Sequence, residues 1–305
     1  MAQSNEFRRL GDVPFGQERI QSDKKIQIDR SEIHGGYLGT IHKTNNIRTQ
    51  IHLTDGRFFP ITTGMATNRR DGVSNETIKN SVKVCMFDQY GTVVDMQGGL
   101  TAIATPFLKK KGWSGNPNSF VTWWRRTHFE NSMIDALLHR KHTPYREIGH
   151  RSVAHVMDRA GIKHTPEDVQ YLVSEIEKLT PFPEVPEALA KLQTKYKLVV
   201  LSNGDPDMLE TAKRYHKVPF DQVISVAEAN SFKPHVATYT KAAELVGVPL
   251  DQVLFVANHA FDCIGAKAAG MRTAFIDRRS RPFGETPYQP DILVPTMKDL
   301  ADAIV

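Results

Sequence analysis

From Pro181 to its end, the chain alternates helical stretches with strand-length apolar runs. Helical spacing at 186–193 precedes a strand at 197–202, and 206–215 precedes a short strand at 223–226. The stretch 236–246 leads to a strand at 253–257, and 261–269 to one at 273–276. A strand at 292–294 and a helix at 297–304 close the chain. Runs that are apolar throughout, such as 198–201, fit strands buried on both faces. Strands alternating with helices predict a parallel sheet with helices on both sides. One more strand lies far upstream at 82–87, delivering Asp88 to a loop with Gly91 placed for a turn. Between it and Pro181 the spacing is helical. Residues 120–138 carry Val121, Trp124, Phe129, Met133, Ala136 and Leu137, and 152–160 and 166–179 follow the same rule. Thr165 is placed as an N-cap and Pro166 in the first turn of the latter. A helical block inserted after the first strand predicts a cap over the carboxyl ends of the sheet, where open α/β sheets bind ligands.

The first ~80 residues read differently. They are rich in Asn, Gln, Thr, Arg and Gly, with short alternations at 27–28 and 49–53 and turn pairs at 35–36 and 55–56. Apolar matter is too sparse there for an independent core, so residues 1–80 are expected to be a poorly structured or loosely docked extension. A small β-module is the alternative. Across all 305 residues, 40% hydrophobic and 24% charged residues exclude disorder as the main state. No stretch approaches the ~20 apolar residues of a membrane helix, so no membrane partner is expected. The formal charge of +5 is spread along the chain. It argues weakly for nucleic acid, which is not expected as a partner, and fits a site for small anions equally well. Only Cys85 and Cys263 occur, both in apolar segments, which excludes a disulfide framework. With no hydrophobic signal core at the start, a cytoplasmic location is expected.

Three polar landmarks follow predicted parallel strands: Asp88, Ser202 with Asn203, and the stretch 258–262. A fourth, Lys233, precedes Pro234 at the start of a helix. Each alone has an ordinary reading as a turn residue, a cap or a loop. Together they place a carboxylate, a hydroxyl, an ammonium and a second carboxylate at one edge of one sheet.

Residues 87–95, Phe-Asp-Gln-Tyr-Gly-Thr-Val-Val-Asp, resemble the first motif of the haloacid dehalogenase superfamily. Leu201-Ser202-Asn203-Gly204, Phe232-Lys233-Pro234 with Tyr239, and residues 256–262 resemble the other three in order. The resemblance covers about 82–305. It implies a Rossmann-like α/β core over 81–96 and 181–305, with a helical cap over 97–180. The superfamily holds both phosphatases and carbon–halogen hydrolases. Where its phosphatases carry a second, acid–base Asp, this chain has Tyr90, and where they carry two acids for Mg²⁺ only Asp262 remains. Magnesium wants a carboxylate-rich oxygen shell, so the set is a poor holder. Tyr90 followed by Gly91 and Thr92 resembles the type II, L-2-haloacid dehalogenase branch, which uses no cofactor or metal. Residues 124–133 resemble its first cap helix, in which the arginine after the tryptophan receives the departing halide. That position is Arg125; Arg126 beside it reads as a solvated helix residue.

The resemblance implies (S)-2-haloacids or haloacetate as substrates and 2-hydroxyacids as products. Asp88 would be the nucleophile, kept ionised by Lys233. Ser202 and backbone N–H groups near Tyr90 and Asn203 would hold the substrate carboxylate, while Arg125 and Asn203 meet the halide. Water would then attack the ester on Asp88, with Thr92, Tyr239 and Asp262 orienting the network. Similar dehalogenases are commonly homodimers. The last motif departs from the better-known members: Ala257, His259 and Phe261 stand where they carry Ser, Asn and Trp. His259 either orients or activates the water, or is a structural residue. The other histidines read as surface residues, and no metal-ligand spacing emerges. A Mg²⁺-dependent phosphatase and a non-catalytic, ligand-binding relative are the alternative readings.

Overall fold

The computed structural model describes three strands within residues 40–61, and residues 75–305 apart from 139, 140 and 219. The alternation at 27–28 and the turn pairs at 35–36 and 55–56 lie outside the described residues. Two compact units are present, Met1–Arg69 and Arg70–Val305. In the first, β1 (Thr40–His42), β2 (Arg48–Thr54) and β3 (Arg57–Ile61) form an antiparallel sheet in that order. Strand β2 covers the alternation at 49–53 and pairs with β3 from Thr54 opposite Arg57.

The second unit is built on a six-stranded parallel sheet. Its strands are β4 (Val84–Phe87), β5 (Lys197–Ser202), β6 (Gln222–Ser225), β7 (Val253–Ala257), β8 (Arg272–Ile276) and β9 (Ile292–Val294). They lie in the order β6-β5-β4-β7-β8-β9. This is the α/β class that the alternation predicts. The chain runs outward one way through β5 and β6, then returns to β7 on the other side of β4. The switch point therefore falls at β4 and β7, where open sheets form their ligand crevice. Every residue of β4 and β7 is buried, which is why both read as unbroken apolar runs.

Between β4 and β5 come α2 (Met96–Lys110), α3 (Pro117–Leu137), α4 (Tyr145–Arg159) and α5 (Pro166–Ser174). The remaining helices are α6 (Val185–Gln193), α7 (Pro206–His216), α8 (Val236–Val246), α9 (Ala260–Ala269) and α10 (Met297–Ile304). Local chemistry sets several starts. Asp95 accepts from Gly98 N at the head of α2, and Asn116 from Ser119 N at α3. Thr165 and Asp168 form a reciprocal capping box before Pro166 at α5. In α10, Met297, Leu300, Ala301 and Ile304 are buried at helical spacing and pack toward α6. Each large apolar side chain so buried contributes about 1.5–3 kcal/mol. Among the described residues no helix is long and apolar enough to cross a membrane.

Several expectations are corrected. The first core strand starts at Val84, not residue 82, because helix α1 (Asn75–Ser81) precedes it. That helix falls mostly within the stretch read as an extension, yet Ile78 is wholly buried and α1 packs on α10. One isoleucine among polar neighbours gives no readable period. Helix α4 begins at Tyr145 rather than 152, since its buried face includes Gly149 and Ser152 and hides the pattern. The helix expected to reach 179 stops at Ser174 and tightens into a 3₁₀ turn, Glu175–Lys178. Two histidines read as surface residues are buried, His128 and His216. His128 stacks on Tyr145 at 3.9 Å, and its Nε2 lies 3.0 Å from that residue's carbonyl oxygen.

Candidate active site

Asp88 leaves β4 at the centre of the carboxyl edge and lines a cavity of about 470 Å³. Behind it the polar groups are closed on one another. Lys233 Nζ donates to Asp88 Oδ1 at 2.8 Å, to Asp262 Oδ2 at 2.8 Å and to Leu201 O at 3.0 Å, so each ammonium hydrogen has an acceptor. Thr92 Oγ1 donates to Asp88 Oδ2 at 2.7 Å and accepts the Asn258 N–H at 2.9 Å. Tyr239 OH donates to Asp262 Oδ1 at 2.6 Å. The Lys233 N–H is itself held by Asn203 Oδ1 at 3.1 Å, next to a cis Lys233–Pro234 peptide.

Burial works against charge on Asp88, but the Lys233 ammonium and His259 more than offset it and hold the carboxyl well below the usual range. Burial, and then the neighbouring Asp88 charge, raises Asp262 against the pull of the Lys233 ammonium. Lys233 is desolvated, yet the two carboxylates raise its pKa. The floor thus presents an ionised carboxylate whose two oxygens already have one donor each.

Glycine is required at two close approaches. Gly91 turns at φ 96°, and a Cβ there would stand 2.8 Å from His259 Cε1. At Gly265 a Cβ would meet the Tyr239 hydroxyl and Pro234 O at 2.7 Å, so its absence lets α9 close on the network.

The opposite wall comes from α2, α3 and the α9 start. Arg125 Nη1 donates to Gln97 Oε1 at 2.8 Å, and Nη2 lies 3.5 Å from His259 Nε2. Nδ1 stands 3.6 Å from Asp88 Oδ2, longer than a hydrogen bond. Arg125 Nε is buried without a partner among the described residues, and burial, then Arg279, lowers this guanidinium to about 10, still charged at neutral pH. Phe261 packs on Phe129 at 4.0 Å and on His259 at 5.4 Å. Tyr90 stacks parallel to Tyr145, and its buried hydroxyl has no partner among the described residues.

Of the residues singled out in the sequence, Asp88, Tyr90, Arg125 and Asn203 line the cavity together with Lys233, His259 and Phe261. Thr92, Tyr239 and Asp262 stand behind them. Ser202 is not on the wall: it is wholly buried and its Oγ accepts the Gly204 N–H at 3.2 Å. Arg126 is 66% exposed and paired with Glu130, though it reaches the cavity rim. Sequence reasoning missed Gln97, Asn118, Thr122, Tyr145, Arg279 and Arg281. One signal was available: 118, 122, 125 and 129 follow helical spacing, and Gln97 Nε2 donates to Asn118 O and Thr122 Oγ1 on that face.

Comparison with known proteins gives one answer. The haloacid dehalogenase-like hydrolase family matches residues 82–270. The (S)-2-haloacid dehalogenase of Xanthobacter autotrophicus is 32% identical over 202 residues, 66% of this chain and 77% of that protein. Haloacetate dehalogenase H-2 of Moraxella sp. (strain B) is 28% identical over 227 residues, 73% and 96% of the two chains. The solved structure of the X. autotrophicus L-2-haloacid dehalogenase with chloropropionic acid covalently bound aligns with a TM-score of 0.66 at 28% identity. It covers 73% of this chain and 98% of that one. The chain therefore belongs to the haloacid dehalogenase superfamily, in its L-2-haloacid dehalogenase-like family, and is a hydrolase of that type.

Proposed function

We propose that the protein is a hydrolytic dehalogenase converting (S)-2-haloacids, or haloacetate, to 2-hydroxyacids through an ester on Asp88. The observation that carries this reading is the state of Asp88: ionised, held by Lys233 and Thr92, and lining one cavity with the Arg125 guanidinium. An Asp88 oxygen attacks the halogen-bearing carbon; the new C–O bond forms as the carbon–halogen bond breaks, inverting that centre. The halide leaves as an anion, and Arg125 and Asn203 meet its charge as it develops. Water then attacks the carboxyl carbon of Asp88 and the ester C–O bond breaks; one water proton passes to the departing oxygen, which becomes the product hydroxyl, the other passes to solvent, and the Asp88 carboxylate is restored. His259 is the ring nearest Asp88 for orienting or deprotonating that water. The Tyr90 hydroxyl and the Asn203 backbone are the donors available for the substrate carboxylate; Ser202 acts from beneath the wall. The relative with chloropropionic acid covalently bound supports a covalent intermediate by likeness.

The donors present do not suit Mg²⁺. All four oxygens of Asp88 and Asp262 have donors, and an ammonium occupies the space between the carboxylates. The division into a core, a helical cap over 97–180 and an N-terminal extension that ends before α1 belongs to this same proposal.

Halide release from both enantiomers of 2-chloropropionate and from chloroacetate, with and without EDTA, tests it beside a generic phosphatase assay. Halide release from the S enantiomer, indifferent to EDTA, is expected. EDTA-sensitive phosphate release alone would establish the phosphatase reading instead. Binding of haloacid with no turnover of either kind would mark a non-catalytic relative.

A further inference from the structure

The dehalogenation just proposed leaves two guanidinium groups at the cavity with nothing to do. Arg279 and Arg281 follow β8 and line the same cavity as Asp88. Their neighbour Arg278 is committed to the fold: Nη2 donates to Thr92 O at 3.0 Å, Nη1 pairs with Glu184, and the group lies 3.8 Å above the Phe182 ring. The side chains of Arg279 and Arg281 form neither an ion pair nor a hydrogen bond among the described residues. The backbone between them is held, since Ser280 turns at φ 48° and Asp277 Oδ1 accepts the Arg281 N–H at 2.9 Å. Burial and then Arg281 lower Arg279, which in turn acts on Arg125, so three like charges share one space, with Asp95 opposing the effect on both Arg279 and Arg125. Such a grouping is relieved when anions enter it.

Size points the same way. A three-carbon haloacid has six non-hydrogen atoms and needs no more than about 180 Å³ at the ~30 Å³ share of a liquid water. The cavity holds about 470 Å³. One carboxylate and one halide already have their partners at the inner end. We infer that the outer part of the cavity is a second anion subsite, in which Arg279 and Arg281 take a carboxylate at the far end of the substrate. The preferred substrates are then 2-halogenated dicarboxylic acids. A guanidinium fork matches a carboxylate with paired hydrogen bonds, which a simple haloacid leaves unused. This inference rests on the dehalogenase reading for its halogen and on the two arginines for its second anion.

The test compares kcat/KM for 2-chloroglutarate with that for 2-chloropentanoate, which has the same chain length without the second carboxylate. A preference of about 10-fold or more for the dicarboxylate is expected at low salt, shrinking as salt rises. In Arg279→Ala/Arg281→Ala the ratio falls toward one, and in Arg279→Lys/Arg281→Lys it is partly kept. Equal use of the two acids, or a ratio unmoved by the alanine pair, would overturn the subsite. Calorimetric binding of glutarate against pentanoate to the full chain separates the two readings. If no haloacid releases halide, the dehalogenase reading fails, yet tighter glutarate binding that depends on both arginines still supports the subsite. Equal binding of the two sinks it.

Discussion

At the floor of the cavity each hydrogen of the Lys233 ammonium has an acceptor and both carboxylates are closed, whereas along the α3 and β8 wall guanidinium groups keep donors unused. The floor grows from the ends of β4, β5 and β7 inside a packed core, where an unpaired polar group costs several kcal/mol. The wall grows from a helix surface and a loop: Arg279 and Arg281 are exposed there, and Arg125 Nε is buried with no partner among the described residues. The floor is therefore preorganised before any ligand arrives, and the wall is completed by one. Fixed charge near the reacting carbon and adaptable charge around the rest is a division that separates chemistry from selection.

The largest effect should come from breaking the floor. In Lys233→Met the ammonium between two buried carboxylates is lost, and about 3–5 kcal/mol of stability should go with it. Halide release should fall below detection. Urea unfolding measures the first quantity. Adding Asp262→Asn should restore part of it, because only one buried carboxylate then lacks compensation. A Lys233→Met protein as stable as the parent would show that the floor is not the tightly coupled unit described.

On the wall, Arg125→Ala should cost kcat about 2–4 kcal/mol, by analogy with a lost oxyanion donor, and leave stability nearly unchanged. Gln97→Ala should cost less, about 10-fold in rate, because it only frees the guanidinium that it orients. The pair should be strongly non-additive. Additive losses would mean that Gln97 acts on its own account rather than through Arg125.

A pH dependence separates the wall's backing from both. Burial lowers His128, which stacks behind Tyr145, to about 4. The unfolded chain binds that proton near pH 6.5, so the stability held by the neutral ring is full above that value. It is lost as pH falls toward 4, an amount of ~3 kcal/mol. His216, also lowered to about 4 by burial, adds the same sign. Unfolding midpoints at pH 7 and pH 4.5 should therefore differ, and His128→Phe should shrink the difference. An unchanged difference would place the acid sensitivity elsewhere.

The same contrast explains what was legible in the sequence. Asp88, Asn203 and His259 each follow an apolar run that can only be a buried strand, so their convergence could be read without coordinates. Lys233 stood out as a cation beside Pro234 in a helix-start loop. His128 did not stand out among polar neighbours, although it lies four residues after Trp124 and four before Ser132 on one buried face. Helices α1 and α4 were missed or shortened where Gly, Ser or a lone isoleucine does the packing. Arg279 and Arg281 sit in a loop, where no period tells which side chain turns inward. Ser202 had the right motif but lies beneath the wall, since the last residue of β5 points into the core.

The central claim is that Asp88 itself supplies the oxygen of the product, and single-turnover reaction in H₂¹⁸O measures this directly. With enzyme in excess over (S)-2-chloropropionate, the lactate formed should carry ordinary oxygen. The label should appear in the Asp88 carboxylate when the peptide is examined by mass spectrometry. Asp88→Asn, nearly isosteric, should fold and yet release no halide. Label in the lactate on the first turnover, with none in Asp88, would make water the nucleophile and contradict the account.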